Sequence, residues 1–230
     1  THGFVREPWG RINCFDPSGS TNTNPASINA FGAIAGVFFN SNGPEAFVRS
    51  PSGDITSFEP GGRATGINLF GTITGSTNPP SNPGGPPPPI LVLGFVRTHD
   101  GTITTFVDPM SGSSGTFPTA IDSFGDIAGF YFNYQDYQFV FFRSASGGYT
   151  TVSPPNSFQT SITGLSELGD MVGYYNNLPN GVGPDHSFVR DRPGNITTFD
   201  VPGGGTPASI NNFGVIVGAG PNGGFLRVPF

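Results

Sequence analysis

The sequence predicts an all-β fold: a five-bladed β-propeller of four-stranded antiparallel blades, with N- and C-terminal strands closing the ring. Three observations carry this reading. One phrase of the type Gly-Phe-Val-Arg recurs six times along 230 residues. Three further short phrases, β-branched and bounded by turn residues, travel with it. No stretch keeps a sustained 3.6-residue apolar period, so helix is nearly absent.

The first phrase stands at Gly3–Arg6, then at Ala46–Arg49, Gly94–Arg97, Val140–Arg143, Ser187–Arg190 and Gly224–Arg227. Its copies are 43, 48, 46, 47 and 37 residues apart, the period of propeller blades. The second phrase follows a Gly-centred turn: Ile12–Asp16, Ile55–Glu59, Ile103–Val107, Tyr149–Ser153 and Ile196–Asp200. The third is a short Ile-Asn pair, as in Ile28-Asn29, Ile67-Asn68 and Ile210-Asn211, with Ile121-Asp122 and Ile162-Thr163 as variants. The fourth follows Phe-Gly or Leu-Gly: Ile34–Gly36, Ile73–Gly75, Ile127–Gly129, Met171–Gly173 and Ile216–Gly218. Asn and Gly tolerate positive φ, so Asn-Xaa-Phe-Gly between phrases three and four reads as a tight hairpin. Small residues in phrases three and four suit the crowded centre of a propeller. Phe at alternate positions of the outer phrases fills the wedges between blades.

The chain reads as one repeat domain over 1–230, with units starting near 3, 46, 94, 140 and 187 and a closing strand at 224–230. The proline tract Pro79–Pro89 lacks ladder donors and reads as a surface loop inserted within the second unit. Phrases two to four each occur five times and phrase one six times. Five four-stranded blades need one strand fewer. With Ile12–Asp16 joining the C-terminal strands, Gly3, Phe4, Val5 and Arg6 are surplus. They pack as a fifth strand or form an assembly strand open to exchange with a neighbouring copy, a head-to-tail self-association by β-augmentation.

Composition narrows the function. Gly (36) and Pro (24) make about a quarter of the chain, yet 23 Phe exclude a disordered one. Nine Arg, no Lys and fifteen acids give a net charge of −6, which excludes nucleic acid as an expected partner. No apolar run is long enough for membrane insertion by a helix. The single cysteine, Cys14, reads as a buried structural thiol.

No constellation names a reaction, so no catalytic residue, metal site or cofactor is assigned and the chain reads as non-enzymatic. Asp122 and Asp126 are explained by their hairpin rather than as paired acids of a glycosidase. The repeated Arg49, Arg97, Arg143, Arg190 and Arg227 read as structural, ion-paired with the acid that ends phrase two, namely Asp16, Glu59 or Asp200. The repeated Asn reads as turn-forming. The Tyr-rich segment with Tyr131, Tyr134, Asp136 and Tyr137 mixes flat rings with hydrogen-bonding groups, as a glycan site would.

Gly-Phe-Val-Arg, Gly-Xaa-Ile-Thr-Thr-Phe-Asp-Val-Pro and Ser/Thr-Xaa-Ile-Asn-Xaa-Xaa-Gly-Xaa-Ile-Val-Gly together resemble the HAF-type bacterial extracellular repeat. The match is tightest over 187–218 and loosest in the fourth unit. The resemblance implies a secreted or cell-surface bacterial location and no activity. Two functions follow as expectations: a structural subunit polymerising by strand exchange, or a lectin-like glycan-binding propeller.

Overall fold

The computed structural model describes residues 1–58, 62–79, 92–178 and 183–229. Among them lie 21 β-strands and no helix. An N-terminal hairpin is formed by β1 (Gly3–Arg6) and β2 (Ile12–Phe15). Four four-stranded sheets follow. The first is β3 (Asn22–Ile28), β4 (Ile34–Asn40), β5 (Gly43–Arg49) and β6 (Ile55–Phe58). The second is β7 (Gly62–Ile67), β8 (Ile73–Thr77), β9 (Leu93–Arg97) and β10 (Ile103–Phe106). The third is β11 (Thr116–Ile121), β12 (Ile127–Phe132), β13 (Gln138–Arg143) and β14 (Tyr149–Val152). The fourth is β15 (Gln159–Leu165), β16 (Met171–Asn176), β17 (His186–Arg190) and β18 (Ile196–Phe199). A three-stranded sheet ends the chain: β19 (Thr206–Ile210), β20 (Ile216–Gly220) and β21 (Gly223–Arg227).

Each four-stranded sheet is an antiparallel meander in the order of phrases three, four, one and two, and the last sheet holds phrases three, four and one. Phrase three begins earlier than its Ile-Asn pair suggests. A bulge interrupts its first strand at one equivalent place in all five sheets, between Pro25 and Ser27, Ala64 and Gly66, Pro118 and Ala120, Ile162 and Gly164, and Pro207 and Ser209. The bulge frees one backbone donor position, which is where a strand can admit proline.

Phrase one supplies the packing. Phe47, Phe95, Phe141 and Phe188 are fully buried, and each such ring contributes roughly 2–3 kcal/mol by leaving water. The glycine of phrase four lies beneath each ring. A Cβ on Gly75 would stand 2.8 Å from the Phe95 ring and 2.0 Å from the carbonyl of Arg63. No side chain fits there, so the Gly is a packing requirement.

The terminal pairing departs from expectation. Ile12–Phe15 does not join β21; it pairs with β1, with Gly3 opposite Phe15 and Arg6 opposite Ile12. The connection Glu7–Arg11 is short and Gly10 takes φ 98°, so this local hairpin closes with far less chain entropy than a partner two hundred residues away. Cys14 is exposed rather than buried, because β2 is an outer strand and turns Phe15, not its neighbour, inward. The proline tract beyond Pro79 and the acid Glu59 lie outside the described residues.

Candidate functional site

Among the described residues the repeated arginines do not meet the acids Asp16 and Asp200. Arg49 lies over Phe15 (5.0 Å to the ring centroid), Arg97 over Phe58 (4.7 Å), Arg143 over Phe106 (4.6 Å) and Arg227 over Phe199 (4.5 Å). Each ring ends phrase two of the preceding unit, so the contact joins successive sheets. Val152 replaces that ring in the third sheet, and Arg190 turns to Phe142 instead, at 4.2 Å. Asp16 is 2.6 Å from His2 Nδ1 and accepts from the Thr23 hydroxyl at 2.5 Å. Asp200 is 2.7 Å from His186 Nδ1. These His–Asp pairs occupy equivalent places at the base of phrases one and two.

The Tyr segment divides. Tyr131 belongs to β12, is 3% exposed, stacks on Phe139 at 5.7 Å and has its hydroxyl 3.2 Å from that of Thr151. It faces the core because β12 continues its alternation through Phe132. Tyr134 is 81% exposed at the tip of the β12–β13 hairpin. Asp136 holds the turn with φ 60°, and Tyr137 packs edge-on against Phe158 at 5.3 Å. The structure brings Tyr134, Asp136 and Tyr137 together and leaves Tyr131 out.

The segment Gly3–Arg6 sits in a two-stranded sheet with β2. Gly3 lies under the Phe15 ring, and Val5 packs with Phe15 against Ile34, Phe38 and Phe47. Phe4 and Arg6 face solvent. A cavity of about 310 Å³ opens between Phe4, Val5, Pro25, Ser27 and Ile28, on the side of β1 where other sheets carry phrase four. At the opposite end β21 has no strand on its outer side among the described residues. A cavity of about 360 Å³ lies there between Phe199, Val201, Pro202, Phe225, Leu226 and Val228.

These two ends carry the two halves of one repeated contact. Between the fourth and last sheets, Val172 (0% exposed) packs on Ile210 (6%). The equivalent of Val172 on the last sheet is Val217, 44% exposed; the equivalent of Ile210 on the first sheet is Ile28, 56% exposed. Neither is covered by such a partner among the described residues. Strand counting finds the surplus strand but not this complementarity, which needs the face each side chain takes.

Sequence reading also missed a second feature. Phe31, Phe70, Phe124, Leu168 and Phe213 are all exposed and occupy the same position of the same turn in successive sheets. In the sequence their Phe-Gly or Leu-Gly pairs read only as turn punctuation. Among the described residues no group of three or more His, Cys, Asp or Glu is placed to hold a metal ion.

The architecture defines a β-propeller-like all-β repeat protein. Among solved structures it is similar to TolB from Acinetobacter baumannii, with a TM-score of 0.61 and 11% sequence identity. The likeness covers 100% of this chain and 59% of that one, so the chain matches less than two thirds of the TolB chain. No protein-family model and no curated protein matches the sequence.

Proposed function

We propose that the chain is a non-enzymatic structural subunit of the bacterial cell exterior that associates head to tail. The observation that carries this is the matched exposure of Val217 at one end and Ile28 at the other. Burying both, with Phe4 and Leu226, removes several apolar side chains from water at roughly 2 kcal/mol each. β1 and β21 are copies of one phrase and compete for one place beside a phrase-two strand. In the joined form, β19 and β20 of one copy meet β2 of the next, with β1 or β21 as the third strand and the other released. Within one copy the same joining closes a five-bladed propeller. Association between copies is favoured by the β1–β2 hairpin, which holds β2 at its own end of the chain. Low charge, the absence of Lys and the resemblance of the repeated phrases to extracellular repeats agree with an exterior location.

The test removes residues 1–10. Without β1, the phrase-one partner left for β2 in the same copy is β21, so the shortened chain is expected to close on itself and stay monomeric at concentrations where the full chain polymerises. Unchanged particle size would contradict the proposal.

A second reading, glycan recognition, is favoured by the exposure of Tyr134 beside Asp136 and Tyr137. Saturable sugar binding that Tyr134→Ala abolishes would support it; binding unaffected by that change would not.

A further inference from the structure

Arg63, Arg11 and Arg192 are the arginines outside the repeated slot; Arg192 lies 3.9 Å from Asp126 and Arg11 closes the turn that Glu7 opens, while Arg63 stands at neither kind of turn. Arg63 lies on β7, exposed, opposite Ser76 of β8 in the strand register. Its guanidinium sits 5.2 Å over the Phe39 ring of the first sheet. Among the described residues no carboxylate lies within ion-pair distance of it. It lines a cavity of about 520 Å³ together with Asn42, Pro44, Ser76, Asn78 and Phe117. The cavity gathers side chains from the first, second and third sheets, at the end of the molecule away from the Asn-Xaa-Phe-Gly turns.

We infer that this cavity binds a carboxylated sugar, the uronate unit of an acidic glycan. Its volume is that of small-ligand sites. An arginine held flat on a ring keeps its fork free for a planar carboxylate, which it matches with two parallel hydrogen bonds. Asn42 and Asn78 offer both donors and acceptors, and Ser76 a hydroxyl, the pairing that sugar hydroxyls need. Phe117 and Pro44 supply apolar faces for the C–H side of a pyranose. One cation in a chain of net charge −6 suits a single negative charge and opposes a polyphosphate. The cavity shares no lining residue with the Tyr134 turn or with the cavities at either end. Assembly is read as particle mass and this site as heat of binding, so either can fail without the other.

The experiment titrates the full chain with a galacturonate trisaccharide, and with a neutral galactose trisaccharide as control, by calorimetry at low and high salt. Saturable binding of the charged sugar, stronger than that of the neutral one and weakened by salt, is expected. Arg63→Gln should weaken it at least about tenfold, the loss of one charge-assisted pair. Asn42→Ala should weaken it severalfold. Arg11→Gln, at an exposed arginine that does not line the cavity, should leave it unchanged. Equal melting midpoints of the variants exclude unfolding as the cause. No saturable binding, equal affinity for the neutral sugar, or equal losses in the Arg63 and Arg11 variants would overturn the inference.

Discussion

The side-chain amide of Asn68 donates to the main-chain carbonyl of Asp122, 2.8 Å away and 54 residues further along the chain. Its Oδ1 meanwhile accepts from Phe70 N at 3.1 Å and Thr72 N at 2.9 Å. One buried residue therefore shapes its own turn and ties that turn to the next sheet. Asn29 repeats the arrangement one sheet earlier, donating to the Asn68 carbonyl at 3.0 Å. Asn68→Ala should destabilise the chain by about 2–3 kcal/mol, since three backbone groups, in one buried and two partly buried hydrogen bonds, lose their partner. Urea unfolding measures it, and a cost below about 0.5 kcal/mol would show that the inter-sheet bond is incidental.

Asp122 stands at the same position in the third sheet and cannot donate when ionised. Its Oδ1 accepts from Phe124 N and Asp126 N, both at 2.9 Å, while its buried Oδ2 has no partner among the described residues. Burial pushes the carboxyl from its ordinary 3.8 up to about 6, with the Asp126 carboxylate adding to the rise and Arg192 opposing it. The folded chain then holds this proton more tightly than the unfolded one. Below the ordinary value both states are protonated and the site is neutral to stability. As pH rises from there to about 6, the unfolded chain releases the proton first and stability falls. Above that the loss is complete, on the order of 3 kcal/mol. Asp122→Asn should abolish this decline and raise the melting midpoint at neutral pH. A variant as pH-sensitive as the parent would contradict the assignment.

Aromatic residues of two kinds should respond differently. Phe58 lies edge-on to Phe95 at 6.0 Å and carries Arg97. Phe58→Ala removes both contacts and should cost about 2 kcal/mol. Phe70, exposed on its turn, should cost within about 0.5 kcal/mol when changed to Ser. Thermal unfolding of the two variants side by side checks the contrast.

The order of strands was legible because Gly and Asn punctuate every unit and each phrase is one strand. What the phrases could not show is which neighbour a side chain meets across the gap between sheets. Arg97 and Phe58 lie on different sheets, so in-sheet reasoning paired the arginine with the acid beside it. The Tyr131–Tyr137 run carries no alternation of polarity to mark where β12 ends, so the sequence does not separate Tyr131 from the turn beyond it. The exposure of Cys14 has the same origin, since Ile12–Phe15 has no clear polar face. Arg63 recurs in no other unit, and that no acid among the described residues pairs with it is visible only in space.

Complementary ends make a mixing test available. Ile28→Asp spoils one end and Val217→Asp the other, so neither variant alone should form long polymers. Mixed in equal amounts, each still offers one intact end. Such a mixture should yield a species of twice the 24.0 kDa chain mass, seen by sedimentation. A mixture that stays monomeric, or either variant polymerising alone, would contradict head-to-tail joining through these faces.

The most direct test of the assembly proposal is the particle mass of the unaltered 230-residue chain across a range of concentrations, with electron microscopy of the same samples. Mass that rises with concentration, and filaments built of repeating propeller-sized units, are the expected result. A compact monomer of 24.0 kDa at every concentration would mean that Ile28 and Val217 meet within one copy, and would contradict the structural-subunit account.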